Sequence, residues 1–108
     1  MVRQGDIIKV DFSPTAGHEQ SGYRPAVVVS NDFAISKTNV VYVAPITSSK
    51  RRFPLHVELD NRTGTKGEIL CEQVKAVDLN ARQFSLVERL PDDLLEKVLT
   101  CVISCFDA

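Results

Sequence analysis

The sequence predicts a mainly β fold: a curved antiparallel sheet or partly closed barrel of short strands, with a C-terminal helix added. Three observations carry this. Six segments show the alternation or the β-branched runs of strands, separated by turn-forming residues. The last segment instead shows a wide helical stripe, apolar at positions 94, 95, 98, 99, 102, 103 and 106. The length of 108 residues suits one domain, residues 1–108, with a core that needs no disulfide or metal staple.

"DIIKVDF" alternates, with Ile8, Val10 and Phe12 on one face and Lys9 and Asp11 on the other, which predicts a half-buried strand. "PAVVVS" is a continuous β-branched run and predicts a strand buried on both faces. Residues 31–38 suit a helical turn or a loop. "NVVYVAPI" repeats the buried pattern, but Pro45 lacks a backbone donor and marks an edge, a bulge or a strand end. "FPLHVELD" places Phe53, Leu55, Val57 and Leu59 opposite Pro54, His56, Glu58 and Asp60. "NRTGTKG" is a loop or hairpin turn, "EILCEQVKAVDL" one long or bent strand, and "QFSLVE" a short one. Pro91 suits the first position of the final helix, and Asp92 and Asp93 complement its dipole.

Composition narrows the function classes. The chain is 44% hydrophobic and 25% charged, as in ordinary soluble proteins. No apolar run approaches the roughly 20 residues that span a bilayer, and the N-terminus carries no signal-peptide core, so a cytoplasmic protein with no membrane association is expected. Three cysteines cannot all pair within one chain, and Cys71, Cys101 and Cys105 read as buried, reduced thiols. With His18 and His56 they form no four-ligand zinc pattern, so no metal site is predicted. Net charge is −1, yet residues 1–56 hold seven Lys/Arg against four Asp/Glu, and residues 57–108 hold six against ten. An electropositive groove is compatible with that asymmetry.

The residues that suggest chemistry cluster in a few places. Arg24 precedes Pro25, which forces it into extended backbone at the mouth of a buried strand. A guanidinium fixed there offers a planar fork of donors for phosphate oxygens. Thr47 closes the next buried run and opens the polar stretch "TSSKRR", where Ser48, Lys50 and Arg51 suit a phosphodiester track. His18, Glu19 and Gln20 stand in a loop between Pro14 and Gly22, and Glu72 and Gln73 interrupt an apolar segment. Singly, each of these also has an ordinary reading as a surface ion pair, a solvated turn or a loop hydrogen bond.

Together, "GDIIKVDFSPTAGHEQSGYRPAVVVS", "VAPITSS" and "GEILCEQVKAVD" resemble the MazF/PemK family of toxin endoribonucleases over nearly the whole chain. The resemblance implies an SH3-like barrel with added helices, a homodimer, and metal-independent cleavage of single-stranded RNA without a cofactor. It also implies a cognate antitoxin protein whose tail occupies the RNA groove. By position, Arg24 and Thr47 match the residues central to cleavage in the MazF branch. His18, Glu19 and Gln20 match the loop that lines the RNA site, and Glu19 or His18 is the expected proton acceptor. Glu72 falls where the PemK branch has an aspartate, but that branch has an arginine where this chain has Leu70. The arginine–threonine version is therefore preferred, with Arg24, Thr47 and Glu19 catalytic. His18, Gln20, Ser48, Lys50, Arg51, Glu72 and Gln73 are assigned to RNA contact. Two alternatives stay open: a non-enzymatic toxin of the same fold that poisons gyrase, and a barrel that binds RNA without cutting it.

Overall fold

The computed structural model describes residues 1–13, 17 and 22–108. Its strands are β1 (Asp6–Asp11), β2 (Tyr23–Val28), β3 (Val40–Thr47), β4 (His56–Glu58), β5 (Glu68–Leu70), β6 (Lys75–Asp78) and β7 (Phe84–Arg89). Its helices are α1 (Asp32–Lys37) and α2 (Asp92–Ser104). These strands pair antiparallel in the order β4-β5-β3-β2-β1-β7, with β6 also beside β3.

The expected SH3-like barrel is not formed: β4 and β7 end the hydrogen-bonded order at opposite edges, and the sheet stays open. β4 has only three residues, so it offers few backbone groups for closure. The apolar face that closure would bury is covered by α2 instead. The result is a seven-stranded sheet with two helices.

Alternation gives this sheet two cores. Ile7, Val27, Ala44, Ile46 and Ile69 share one face with Leu94, Val98 and Val102 of α2. Ile8, Val10, Ala26, Val28, Val41, Val43 and Val77 form the other, closed by Phe12 and by Ile35 of α1. β1 and β2 thus carry the burial their patterns predict, with Ile7 adding a contact on the face opposite Ile8. α1 starts because the Asn31 side chain accepts the Ala34 N–H at 2.8 Å, capping an exposed end. In α2, Pro91 is the cap residue rather than the first helical residue, and the stripe runs out at Ile103 and Phe106, 59% and 77% exposed.

The segment expected as one bent strand is divided. β5 pairs with Ile46 and Thr47, β6 pairs with residues 40–43, and a 3-10 turn, Cys71–Gln73, carries the chain between them. Pro45 sits at the changeover. Val29 donates to the Tyr42 carbonyl, so alternation turns the backbone of Tyr42, Ala44 and Ile46 toward β2 and that of Pro45 toward β5 and β6. The missing N–H of Pro45 thus faces the gap where β6 stops and β5 starts.

Candidate active site

The prolines also shape the neighbouring end of the sheet. The β2–β3 ladder ends at Ala26↔Pro45. The next bonded pair would need an N–H from Pro25, which has none. Two residues past that last pair, one on each strand, stand Arg24 and Thr47. Arg24 is exposed and held in extended backbone against Val10 of β1, and Thr47 is 5% exposed. By alternation their side chains leave the same face of the sheet, opposite α2.

The row continues across two further strands. Thr47 pairs with Glu68 of β5, and Glu68 pairs with Glu58 of β4. His56, two residues along β4, reaches Glu68 diagonally, with Nδ1 2.8 Å from Oε1. Arg24, Thr47, Glu68 and His56 therefore lie on one face of four adjacent strands. At its far end, His56 Nε2 meets Glu72 Oε2 of the 3-10 turn at 3.0 Å. A close backbone approach joins β3 to β5: Gly67 has φ +122°, and a Cβ there would overlap the Thr47 carbonyl.

Glu68 is the most deeply buried member, 1% exposed. Its Oε2 accepts the N–H groups of Arg51 at 3.2 Å and Arg52 at 3.1 Å, so it pins the basic loop between β3 and β4. Burial pushes its carboxyl up, but the Arg52 N–H, the His56 ring and the Arg51 N–H together hold it below its ordinary value. The Thr47 hydroxyl accepts the Ser49 N–H at 3.2 Å, fixing where the loop leaves the strand. Lys50 reaches Glu58 at 3.7 Å, and Ser48 and Arg51 are exposed. A cavity of about 250 Å³ lies over this end, lined by Arg51, Phe53, His56 and Glu72. Phe53 is 48% exposed and tilts against His56 at 5.2 Å between ring centres. A larger groove, about 650 Å³, runs between residues 54–57 and α2, away from Arg24 and Thr47. The shared face of charged and hydroxyl groups, rather than cavity size, marks this end of the sheet as the candidate site.

The family model described as "PemK-like, MazF-like toxin of type II toxin-antitoxin system" matches residues 3–106. The chain belongs to this family. It is 36% identical over 103 residues to Endoribonuclease EndoA of Bacillus subtilis (strain 168), covering 91% of this chain and 88% of that protein. The crystal structure of MazF from Deinococcus radiodurans superposes with a TM-score of 0.90 at 30% identity, covering 97% and 96% of the two chains. A MazE–MazF complex from the same organism gives 0.84 at 30% identity, covering 97% and 95%.

Of the residues assigned to this PemK/MazF-type site from the sequence, Arg24, Thr47, Ser48, Lys50, Arg51 and Glu72 gather at one end of the sheet, with Gln73 beside Glu72 in the 3-10 turn. His18, Glu19 and Gln20 lie outside the described residues. Two members escaped the sequence reading. His56 was read as part of the polar face of "FPLHVELD" and weighed as a zinc ligand, not as a member of this site, and Glu68 was not singled out. The available signal was an acid directly after Gly67 and before the apolar "IL". Among the described residues, no group of three or more His, Cys, Asp or Glu is arranged to hold a metal ion. The cysteines are free: Cys71 is buried, Cys101 half-buried and Cys105 exposed, so only Cys71 fits a fully packed thiol.

Proposed function

We propose that this toxin is a sequence-specific endoribonuclease that cuts single-stranded RNA with the substrate's own 2′-hydroxyl. The observation that carries the reading is the placement of Arg24 and Thr47. They stand at the same end and on the same face of neighbouring strands, past a ladder that Pro25 terminates. A phosphodiester laid there meets a permanent cation and a hydroxyl fixed by backbone. The 2′-oxygen forms a bond to phosphorus as its proton leaves to a base, for which Glu19 is the assigned residue. The bond from phosphorus to the 5′-oxygen breaks, and that oxygen takes a proton. The products are a 2′,3′-cyclic phosphate and a 5′-hydroxyl. Negative charge grows on the non-bridging oxygens, where Arg24 stabilises it and Thr47 adds a neutral hydrogen bond. Ser48, Lys50 and Arg51 track the flanking phosphates, and Glu72, Gln73, His18 and Gln20 read bases. Unstacked bases are accessible in single strands, which favours that substrate class.

The partner assignment follows the same reading. A cognate antitoxin inserts a segment, acidic or amphipathic, along the cationic end of the sheet; the MazE–MazF complexes of the Deinococcus relative support such a pairing. A homodimer is the proposed assembly, supported by the apolar side chains of Ile103 and Phe106 left exposed on and just beyond α2.

The test is incubation of purified protein with a long RNA in chelator, followed by site mapping and end analysis. Cleavage at one short motif, leaving cyclic phosphate and 5′-hydroxyl ends, is expected. Arg24→Ala, folded by circular dichroism, should lose about 100- to 1000-fold in kcat, as for removal of a transition-state clamp. Cutting that persists with deoxyribose at the cleaved position rules out 2′-hydroxyl attack. RNA bound but never cut returns the chain to the RNA-binding reading.

A further inference from the structure

We infer that His56 and Glu68 are positioning residues that lock the basic loop of residues 48–55 and the Glu72 carboxylate into one RNA-reading arrangement. This rests on the nuclease reading of the same site. Neither residue need touch the scissile phosphate; both act through neighbours.

Glu68 holds the loop by its backbone. Two consecutive N–H groups, those of Arg51 and Arg52, point at one carboxylate oxygen. Arg52 has φ +49°, the only positive φ outside glycine among the described residues. That left-handed residue lets successive N–H groups converge on an anion, and the buried carboxylate supplies it. The side chains of Lys50 and Arg51 are carried by this turn. Losing the anion leaves two converging donors without an acceptor and frees the charges to move.

His56 ties that anchor to Glu72. Its side chain is 5% exposed, packed beside Phe53, and contacts Glu68 and Glu72 through opposite ring nitrogens at 2.8 and 3.0 Å. Each ring nitrogen meets one carboxylate, so the imidazole is a bridge between the two. Glu68 is almost fully covered, whereas the Glu72 side chain is 30% exposed. The bridge therefore fixes the orientation of a carboxylate that faces the approaching RNA. A carboxylate so held suits the N–H edge of a base that carries an amino group. The loop sets affinity, Glu72 sets base choice, and one imidazole couples the two.

The experiment measures RNA affinity by fluorescence anisotropy on an oligonucleotide made uncleavable by deoxyribose at the cut position, alongside cleavage mapping on a long RNA. His56→Ala and Glu68→Gln should each weaken binding about tenfold, the scale of one lost charged hydrogen bond. His56→Ala should also relax base preference at one position of the motif. His56→Gln, which keeps a donor, should recover part of the affinity. In a Lys50→Ala/Arg51→Ala background the affinity loss from His56→Ala should shrink below about twofold, because the groups it positions are gone. Equal losses in both backgrounds, with an unchanged motif, overturn the inference. If His56→Ala does not fold, Glu68→Gln, which preserves volume, takes its place in the same cycle. Wild-type protein that neither binds nor cuts RNA defeats the nuclease reading itself. Wild-type protein that does both, with additive variants, defeats only the positioning role.

Discussion

Gly67 shows what one missing methyl group does for the site. Its φ of +122° is a backbone state that side chains rarely adopt, and the space for a Cβ is already filled by the Thr47 carbonyl. Gly67→Ala must therefore push β5 away from β3 where Thr47 meets Glu68. A cost of at least about 1–3 kcal/mol from the backbone alone is expected, read by denaturant unfolding, and activity should fall even in folded protein. Glu68 makes a second prediction at this scale. Its carboxyl is held below its ordinary value in the fold, so between the folded and unfolded values the unfolded chain binds more protons. Its contribution is complete above the unfolded carboxylate value and is lost as pH falls through the lower folded one. Glu88 behaves alike: burial raises its carboxyl, but the Thr65 hydroxyl and the Thr65 and Gly64 N–H groups lower it below the ordinary value. Acid titration of stability should thus be shallower in Glu68→Gln than in wild type, with the Glu88 share remaining. Identical acid profiles would remove the carboxylate anchor.

At the scale of elements, what was legible depended on whether local pattern or a partner decided the outcome. β1 and β2 were readable because alternation and β-branching report burial directly, and Arg24 was readable because a proline fixes its backbone whatever surrounds it. The division of "EILCEQVKAVDL" was not, because it follows from β3 exchanging one neighbour for another across Pro45. His56 and Glu68 were hidden for the same reason: an acid and an imidazole twelve residues apart become a pair only through the β4–β5 register. The helical stripe was legible, but its depth was not. Leu94 is 4% exposed and packs on the sheet core, whereas Ile103 lies largely open. Leu94→Ala should cost about 2–5 kcal/mol in chemical denaturation, as cavity-forming changes do. A loss under 1 kcal/mol would mean that α2 does not carry the core as described.

At the scale of the molecule, the open sheet and the uneven charge belong together. A barrel closed on itself would have buried its polar seam or filled it with side chains; here α2 covers one face, and the opposite face keeps a row of ionisable groups at its end. The chain as a whole is nearly neutral, at −1, so its bulk charge does not draw in a polyanion. On the proposed reading, attraction to RNA comes from the few cations grouped at that end, and salt dependence counts them. If Arg24, Lys50 and Arg51 each neutralise one phosphate, the logarithm of affinity should fall against the logarithm of salt concentration with a slope of about −2 per chain. Removing one of them, as in Lys50→Ala, should bring that slope about 0.7 closer to zero while leaving the cleaved motif unchanged. A slope near zero would mean that bases rather than phosphates hold the substrate. A slope several-fold steeper would require cations far from Arg24 and Thr47, and the RNA would then follow a different path over the sheet.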